Sequence, residues 1–165
     1  MKRLEGRVAT ITGGGSGLGK ATAIRFASEG ALVVIADMDE KSGQAVATEV
    51  NGTFIKCNVA DKASVDNMFA EVFKKFGKID IAFNNAGISP PDDDSILTTE
   101  IEAWDKVQLV NLTSVYLCCK AVLPYMLKAK KGSIINTASF VATLAAATSQ
   151  IAYTASKGGV LAMTR

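Results

Sequence analysis

The sequence contains no histidine, which removes imidazole acid–base catalysis, Ser-His-Asp hydrolysis and most zinc sites. Cysteine is scarce: three residues, with Cys118 and Cys119 adjacent in an apolar stretch. An odd number so placed makes no disulfide framework and predicts core packing in a reducing compartment. No excess of one charge exists either. A formal net charge of +2 offers no surface to nucleic acid or to a membrane. The local groups Lys74, Lys75, Lys78 and Lys128, Lys130, Lys131 read as solvated helix ends. No uninterrupted apolar run approaches the ~18 residues of a membrane span, and Met1 to Gly6 lack the apolar segment of a signal peptide, so a cytoplasmic location is expected. What is present, 48% hydrophobic and 21% charged residues over a length of 165, suits one globular domain with a real core.

The most informative stretch is near the start. The apolar run Val8 to Thr12 breaks into five glycines among seven residues, Gly13-Gly14-Gly15-Ser16-Gly17-Leu18-Gly19, and resumes as Lys20 to Ala27. This reads as strand, tight turn and helix. Glycine permits the reversal and the close approach of backbone to a ligand, and the helix start offers free N–H groups and a positive dipole end, where a pyrophosphate fits. A helix entry that merely contains glycine is the plainer alternative. Ala31 to Ala36 then forms a second strand, whose unbroken apolarity indicates burial on both faces. It ends at Asp37, eighteen residues beyond Gly19, where an acid can accept hydrogen bonds from an adenosine ribose. Met38 beside it and Ser16 in the turn leave nothing to welcome a 2′-phosphate, so NAD is favoured over NADP.

Further along, helices are expected over about 39–50 and 63–76, capped by Asp39 and Asp61, with strands over 53–57 and 79–83. The second of these strands runs into Asn84-Asn85-Ala86-Gly87. Buried amides need partners, so the two asparagines either hydrogen-bond the scaffold or face a ligand. Ser89 to Ser95, with Asp92, Asp93 and Asp94, reads as an exposed loop whose acids are solvated and hold no metal. A long helix is expected from Thr99, where Thr99 and Glu102 have capping-box spacing, to about Ala129. Asn111 inside it, among apolar residues, marks a kink or a site, and Pro124 is a second place for a bend. A fifth strand over 133–138 ends at Ser139. Tyr153 and Lys157 follow, four apart, which on a helix places an ammonium beside a phenol and favours its ionised form.

The set Thr12 to Gly19 in T-G-x-x-x-G-x-G form, Asn84 to Gly87, Asn111, Ser139 and Tyr153-Thr154-Ala155-Ser156-Lys157 resembles the short-chain dehydrogenase/reductase family in its classical branch. The resemblance covers the whole chain. It implies a Rossmann-like, doubly wound α/β fold with a parallel sheet of order 3-2-1-4-5, as a single NAD-binding domain over residues 1–165. It further implies Tyr153 as general acid/base and Lys157 as the cation that favours its ionisation and holds the nicotinamide ribose. Ser139 would orient the carbonyl or hydroxyl, and Asn111 would support a proton relay through water. Thr12, Gly13, Ser16, Gly17, Leu18, Gly19, Asp37, Asn58, Val59, Asn85, Ala86 and Gly87 would surround the cofactor with Tyr153 and Lys157. Removing an O–H proton as hydride leaves carbon requires such a base, and a tyrosinate supplies one without histidine.

Two features depart from the family. Asn58 stands where aspartate is usual beside the adenine, and its amide oxygen can still accept. The chain stops at Arg165, whereas the family continues through two further strands and helices that complete the substrate pocket and much of the subunit interface. A C-terminally incomplete domain is therefore expected, with the fifth strand left as an open edge. The function implied is interconversion of a secondary alcohol and a ketone by hydride transfer, in a protein forming a homodimer or homotetramer when full-length. The substrate is expected to be neutral, because Phe140, Val141, Leu144 and Ala145 to Ala147 offer it no charge. The alternative is a non-catalytic dinucleotide-binding or assembly module.

Overall fold

In the computed structural model, which describes residues 2–144 and 147–165, the apolar runs of the sequence form one parallel sheet. Its strands are β1 (Val8–Thr12), β2 (Leu32–Asp37), β3 (Thr53–Lys56), β4 (Ile81–Asn84) and β5 (Ser133–Asn136), in the order β3-β2-β1-β4-β5. Ala9 lies opposite both Val33 and Ile81, Val34 opposite Thr53, and Ala82 opposite Ile134, every pairing being parallel. This is the predicted order. The helices are α1 (Gly17–Ser28), α2 (Glu40–Glu49), α3 (Lys62–Phe76), α4 (Ile101–Gln108), α5 (Ser114–Ala129) and α6 (Ile151–Thr164).

Alternation along β2 shows how the sheet is wound on both sides. Val33 and Ile35 join Ile11, Ala23 and Val46 in the core under α1 and α2, while Val34 and Ala36 join Val8, Phe69 and Val122 under α3 and α5. With neither face wet, the strand reads as unbroken apolarity. Each such valine, isoleucine or phenylalanine contributes ~1.5–3 kcal/mol on full burial. Asp39 caps α2 by accepting from the N–H groups of Lys41 (3.0 Å) and Ser42 (3.3 Å), and Asp61 caps α3 through Ala63 (2.8 Å), as expected.

The long helix differs from the sequence expectation. It begins at Ile101, and the Thr99–Glu102 capping box does not form, because the Thr99 hydroxyl accepts from the Asp94 N–H at 2.8 Å and is spent on the preceding loop. A π-turn over Leu109–Thr113, centred on Asn111, separates α4 from α5, while Pro124 lies within α5. The run Ile101–Ala129 has the length and hydropathy of a membrane span. Its Cys118, Val122 and Met126, however, are buried in the core beside Val34 and Ala82 of the sheet.

At the opposite end of the sheet from the helix-entry turns, Asp80 is a buried hub. Its carboxylate accepts from the Val8 N–H (3.0 Å) and the Arg7 guanidinium (3.1 Å), with Lys78 at 3.6 Å and Lys131 at 3.8 Å. Burial alone would raise the Asp80 carboxyl, but these donors and cations outweigh it and hold the group below the usual carboxylate range. Lys78 and Lys131 are thus engaged and not simply solvated, as is Lys75, which donates to the Thr53 hydroxyl at 2.8 Å. Among the described residues β5 pairs only with β4, and its Ile135 is exposed. Ala145 and Ala146 of the predicted uncharged loop lie outside the described residues.

Candidate active site

The turn between β1 and α1 is built as the glycines require. Gly13 and Gly17 have φ of +63° and +51°, the left-handed region that favours glycine. A Cβ on Gly19, which is buried, would overlap the Gly13 carbonyl oxygen. Ser16 precedes α1 without capping it, and no acid occupies the first helical turn. The first N–H groups of α1 are therefore open to an anion, with the positive dipole end behind them. The turn is tied to β2: Gly13 donates to the Ala36 carbonyl at 2.8 Å, and Gly15 donates to the Asp37 carboxylate at 2.8 Å. The other Asp37 oxygen accepts from the Asp39 N–H at 3.0 Å.

At the end of β4 both asparagines serve the scaffold. Asn84 donates to the Asn136 side chain at 2.8 Å, and Asn85 donates through its amide to the carbonyls of Thr12 (3.1 Å) and Gly13 (3.3 Å). The Thr12 hydroxyl accepts from the N–H groups of Asn85 (3.0 Å) and Ala86 (3.2 Å). Asn111 is fully buried and clamps Ile88, accepting from its N–H at 2.7 Å and donating to its carbonyl at 2.8 Å. The π-turn is what lets a helical residue aim its amide at that strand end. Gly87 lies between Asn111 and Lys157, since a Cβ there would sit 3.2 Å from Asn111 Oδ1 and 3.6 Å from Lys157 Nζ.

Helix α6 brings Tyr153 and Lys157 onto one face, with Lys157 Nζ 5.6 Å from the Tyr153 ring centroid. Lys157 is buried and donates to the Thr137 carbonyl at 2.7 Å, and burial pushes its ammonium below the ordinary lysine value. Ser139 caps the short 3₁₀ turn Phe140–Ala142, which packs against α6.

These elements enclose a groove of about 550 Å³ at the carboxyl ends of the strands. Gly13, Ser16, Gly17, Leu18 and Asp37 line it on the β1–α1 side, with Asn58 and Val59 beyond. Asn85, Ala86, Gly87, Tyr153 and Lys157 form the rest of the predicted lining. Thr12, Gly19, Asn111 and Ser139 do not line it; Thr12, Gly19 and Asn111 act from behind the wall as buried supports. Asn58 lines the groove, and its amide oxygen accepts from the Ala60 N–H at 3.1 Å. A larger hollow of about 770 Å³ between β3 and α3 is lined by Thr53, Asn67, Glu71, Lys74 and Lys75 and by none of the predicted site residues.

Several lining residues escape the sequence reading, three of them with hydroxyl or ammonium groups. Thr137, Ser89 and Lys106 face the groove, and Lys106 adds a cation that the neutral-loop expectation did not include. The larger miss is Asp93. Expected in water with its neighbours, it is 5% exposed, and its two carboxylate oxygens accept from the N–H groups of Ala152 and Tyr153 at 2.8 Å each. Three consecutive aspartates carry no local signal that singles out the middle one.

A sequence profile described as short chain dehydrogenase matches residues 7–165. Secoisolariciresinol dehydrogenase of Forsythia intermedia is 42% identical over 99% of this chain and 60% of its own length. Meso-2,3-butanediol dehydrogenase of Serratia marcescens is 39% identical over 99% of this chain and 64% of its own. The crystal structure of levodione reductase superimposes with a TM-score of 0.93 at 35% identity, covering 99% of this chain and 65% of that one. The chain thus spans somewhat less than two thirds of the length of these relatives.

Proposed function

The chain belongs to the short-chain dehydrogenase family, and from that premise we propose that its protein interconverts a secondary alcohol and a ketone, with NAD as the hydride carrier. The carrying observation is the groove itself: the uncapped start of α1 forms one wall, and Tyr153 with Lys157 forms the other. The donor set fits a dinucleotide. Glycine turns leave backbone N–H groups for a pyrophosphate, and Asp37 offers a carboxylate for ribose hydroxyls. Fixed by two backbone donors beside the exposed Met38, that carboxylate repels a 2′-phosphate, which favours NAD over NADP.

The bound nicotinamide supplies the hydride acceptor or donor. In alcohol oxidation, Tyr153 takes the hydroxyl proton, and Lys157 stabilises the negative charge on the phenol oxygen that receives it. Anchored by the Thr137 carbonyl, Lys157 also stays within reach of a ribose. Ser139 orients the substrate oxygen from the β5 side. Asn111, next to Gly87 and Lys157, supports the path by which the proton leaves.

The proposal extends to a small, neutral alcohol and to a cytoplasmic homo-oligomer, dimer or tetramer. The exposed Leu109, Tyr116 and Leu123 support self-association, and the free Cys57, Cys118 and Cys119 suit a reducing compartment. The experiment is absorbance-monitored reduction of NAD and of NADP by the full-length protein with a panel of secondary alcohols, including meso-2,3-butanediol and borneol. Reduction with NAD preferred is expected. Tight NAD binding without reduction by any alcohol would favour a non-catalytic binding module.

A further inference from the structure

The geometry points to Asp93 as the positioning residue of Tyr153, acting through the first turn of α6 and not through contact with the reacting groups. The inference rests on the proposed role of Tyr153 in proton transfer. Residues 89–95 form no helix or strand, yet Asp93 is buried, with both carboxylate oxygens against the N-terminus of α6. One accepts from Ala152 N–H and the other from Tyr153 N–H, each at 2.8 Å, and the Asp94 carbonyl takes the Ile151 N–H at 3.0 Å. Two adjacent loop residues thus hold three consecutive helix-start donors, ending at Tyr153 itself. Gln150, the residue at the N-cap, makes no capping bond with its side chain, which accepts from the Ser89 hydroxyl at 3.4 Å instead.

Tyr153 is held at its other peptide end as well. Its carbonyl accepts from the Ser156 hydroxyl at 2.7 Å, and that hydroxyl accepts from the Asn111 amide at 3.3 Å. One turn on, Lys157 is anchored to the Thr137 carbonyl at 2.7 Å. An ordinary cap would secure the helix without fixing any one side chain. This cap bonds the N–H of the reacting residue, so its loss frays the turn that carries Tyr153 while Lys157 stays in place. The Tyr153–Lys157 relation then opens. A misplacement of ~1 Å at a reacting group can cost ~10² in rate.

The test compares wild type, Asp93→Asn and Asp93→Ala in the full-length protein, well below their unfolding temperatures, using isotope-labelled tyrosine. The Tyr153 ring signal, assigned by its loss in Tyr153→Phe, should shift or broaden in both variants, while Tyr116 and Tyr125 stay put. Should Asp93→Ala fail to fold, the isosteric Asp93→Asn decides, since an amide presents a donor to one of the two N–H groups. With meso-2,3-butanediol and NAD, turnover should fall ~10–100-fold with KM nearly unchanged, and adding Asp93→Ala to Tyr153→Phe should cost nothing more. An unmoved Tyr153 signal in a folded Asp93 variant, or an additive double variant, overturns the positioning role. Near-normal turnover in Tyr153→Phe instead overturns the proton-transfer reading, and the ring signal still judges Asp93.

Discussion

Replacing Asp80 by asparagine keeps the shape of the side chain and removes its charge from the hub that joins the starts of β1, β4 and β5. Arg7, Lys78 and Lys131 have side chains 50%, 41% and 56% exposed, so each ion pair is worth only ~0.2–1 kcal/mol, the two longer ones at the low end. The buried bond from the Val8 N–H falls from a charge-assisted ~1.5–3 kcal/mol to a neutral ~0.5–1.5 kcal/mol. Asp80→Asn should therefore destabilise the protein by roughly 2–3 kcal/mol at neutral pH, a large part of the ~5–15 kcal/mol typical of a domain. The sign with pH follows from the lowered carboxyl. Its stabilisation is complete above the unfolded value near ~3.9 and disappears as pH falls through the lower folded value. Urea unfolding followed by the single tryptophan, Trp104, should show the full gap between wild type and variant at neutral pH and little gap in acid. A gap below ~0.5 kcal/mol at neutral pH, within the range of ordinary surface changes, or one unchanged in acid, would refute the reasoning.

Gly19→Ala should abolish NAD binding measured by calorimetry, because its Cβ would overlap the Gly13 carbonyl and force the turn apart; wild-type affinity would contradict the role of this turn. Asp37→Ala should weaken NAD binding and narrow discrimination against NADP, measured as the ratio of the two dissociation constants. Lys157→Met should end turnover without lowering the unfolding midpoint at neutral pH, because the buried ammonium it removes is destabilising. An amine with a lowered value in the fold binds fewer protons there than when unfolded, so wild-type stability should rise with pH through that window and close the gap. A lower midpoint for the variant would mean that the bond to Thr137 outweighs desolvation.

The strands were legible because β1 and β2 are buried on both faces and turn signals separate the apolar runs, whereas their order in the sheet came from the resemblance to the family. Asp39 and Asp61 were legible as caps because their targets lie two or three residues away. Asp93 was not, because it caps a helix 59 residues further along the chain, and only the folded loop selects it over Asp92 and Asp94. Thr99 failed in the opposite way: the local pattern was right, but Asp94 claims its hydroxyl. Asn111 announced itself as a polar residue among apolar ones, while the π-turn and its partner Ile88 needed the end of β4 to be in place. Asp80 gave no sign at all, since a single acid in an apolar strand resembles an edge position until three cations from two other segments and its own converge on it.

Proton transfer by Tyr153 in an NAD-dependent alcohol oxidation is the step on which the proposed function depends. Its most direct test is steady-state turnover of Tyr153→Phe against wild type in the full-length protein, with NAD and a secondary alcohol that the wild type oxidises, alongside NAD affinity. Turnover should fall by at least ~10²–10⁴, as expected for loss of a general acid/base, with NAD affinity retained because only a hydroxyl is removed. Near-normal turnover in this variant would contradict that role.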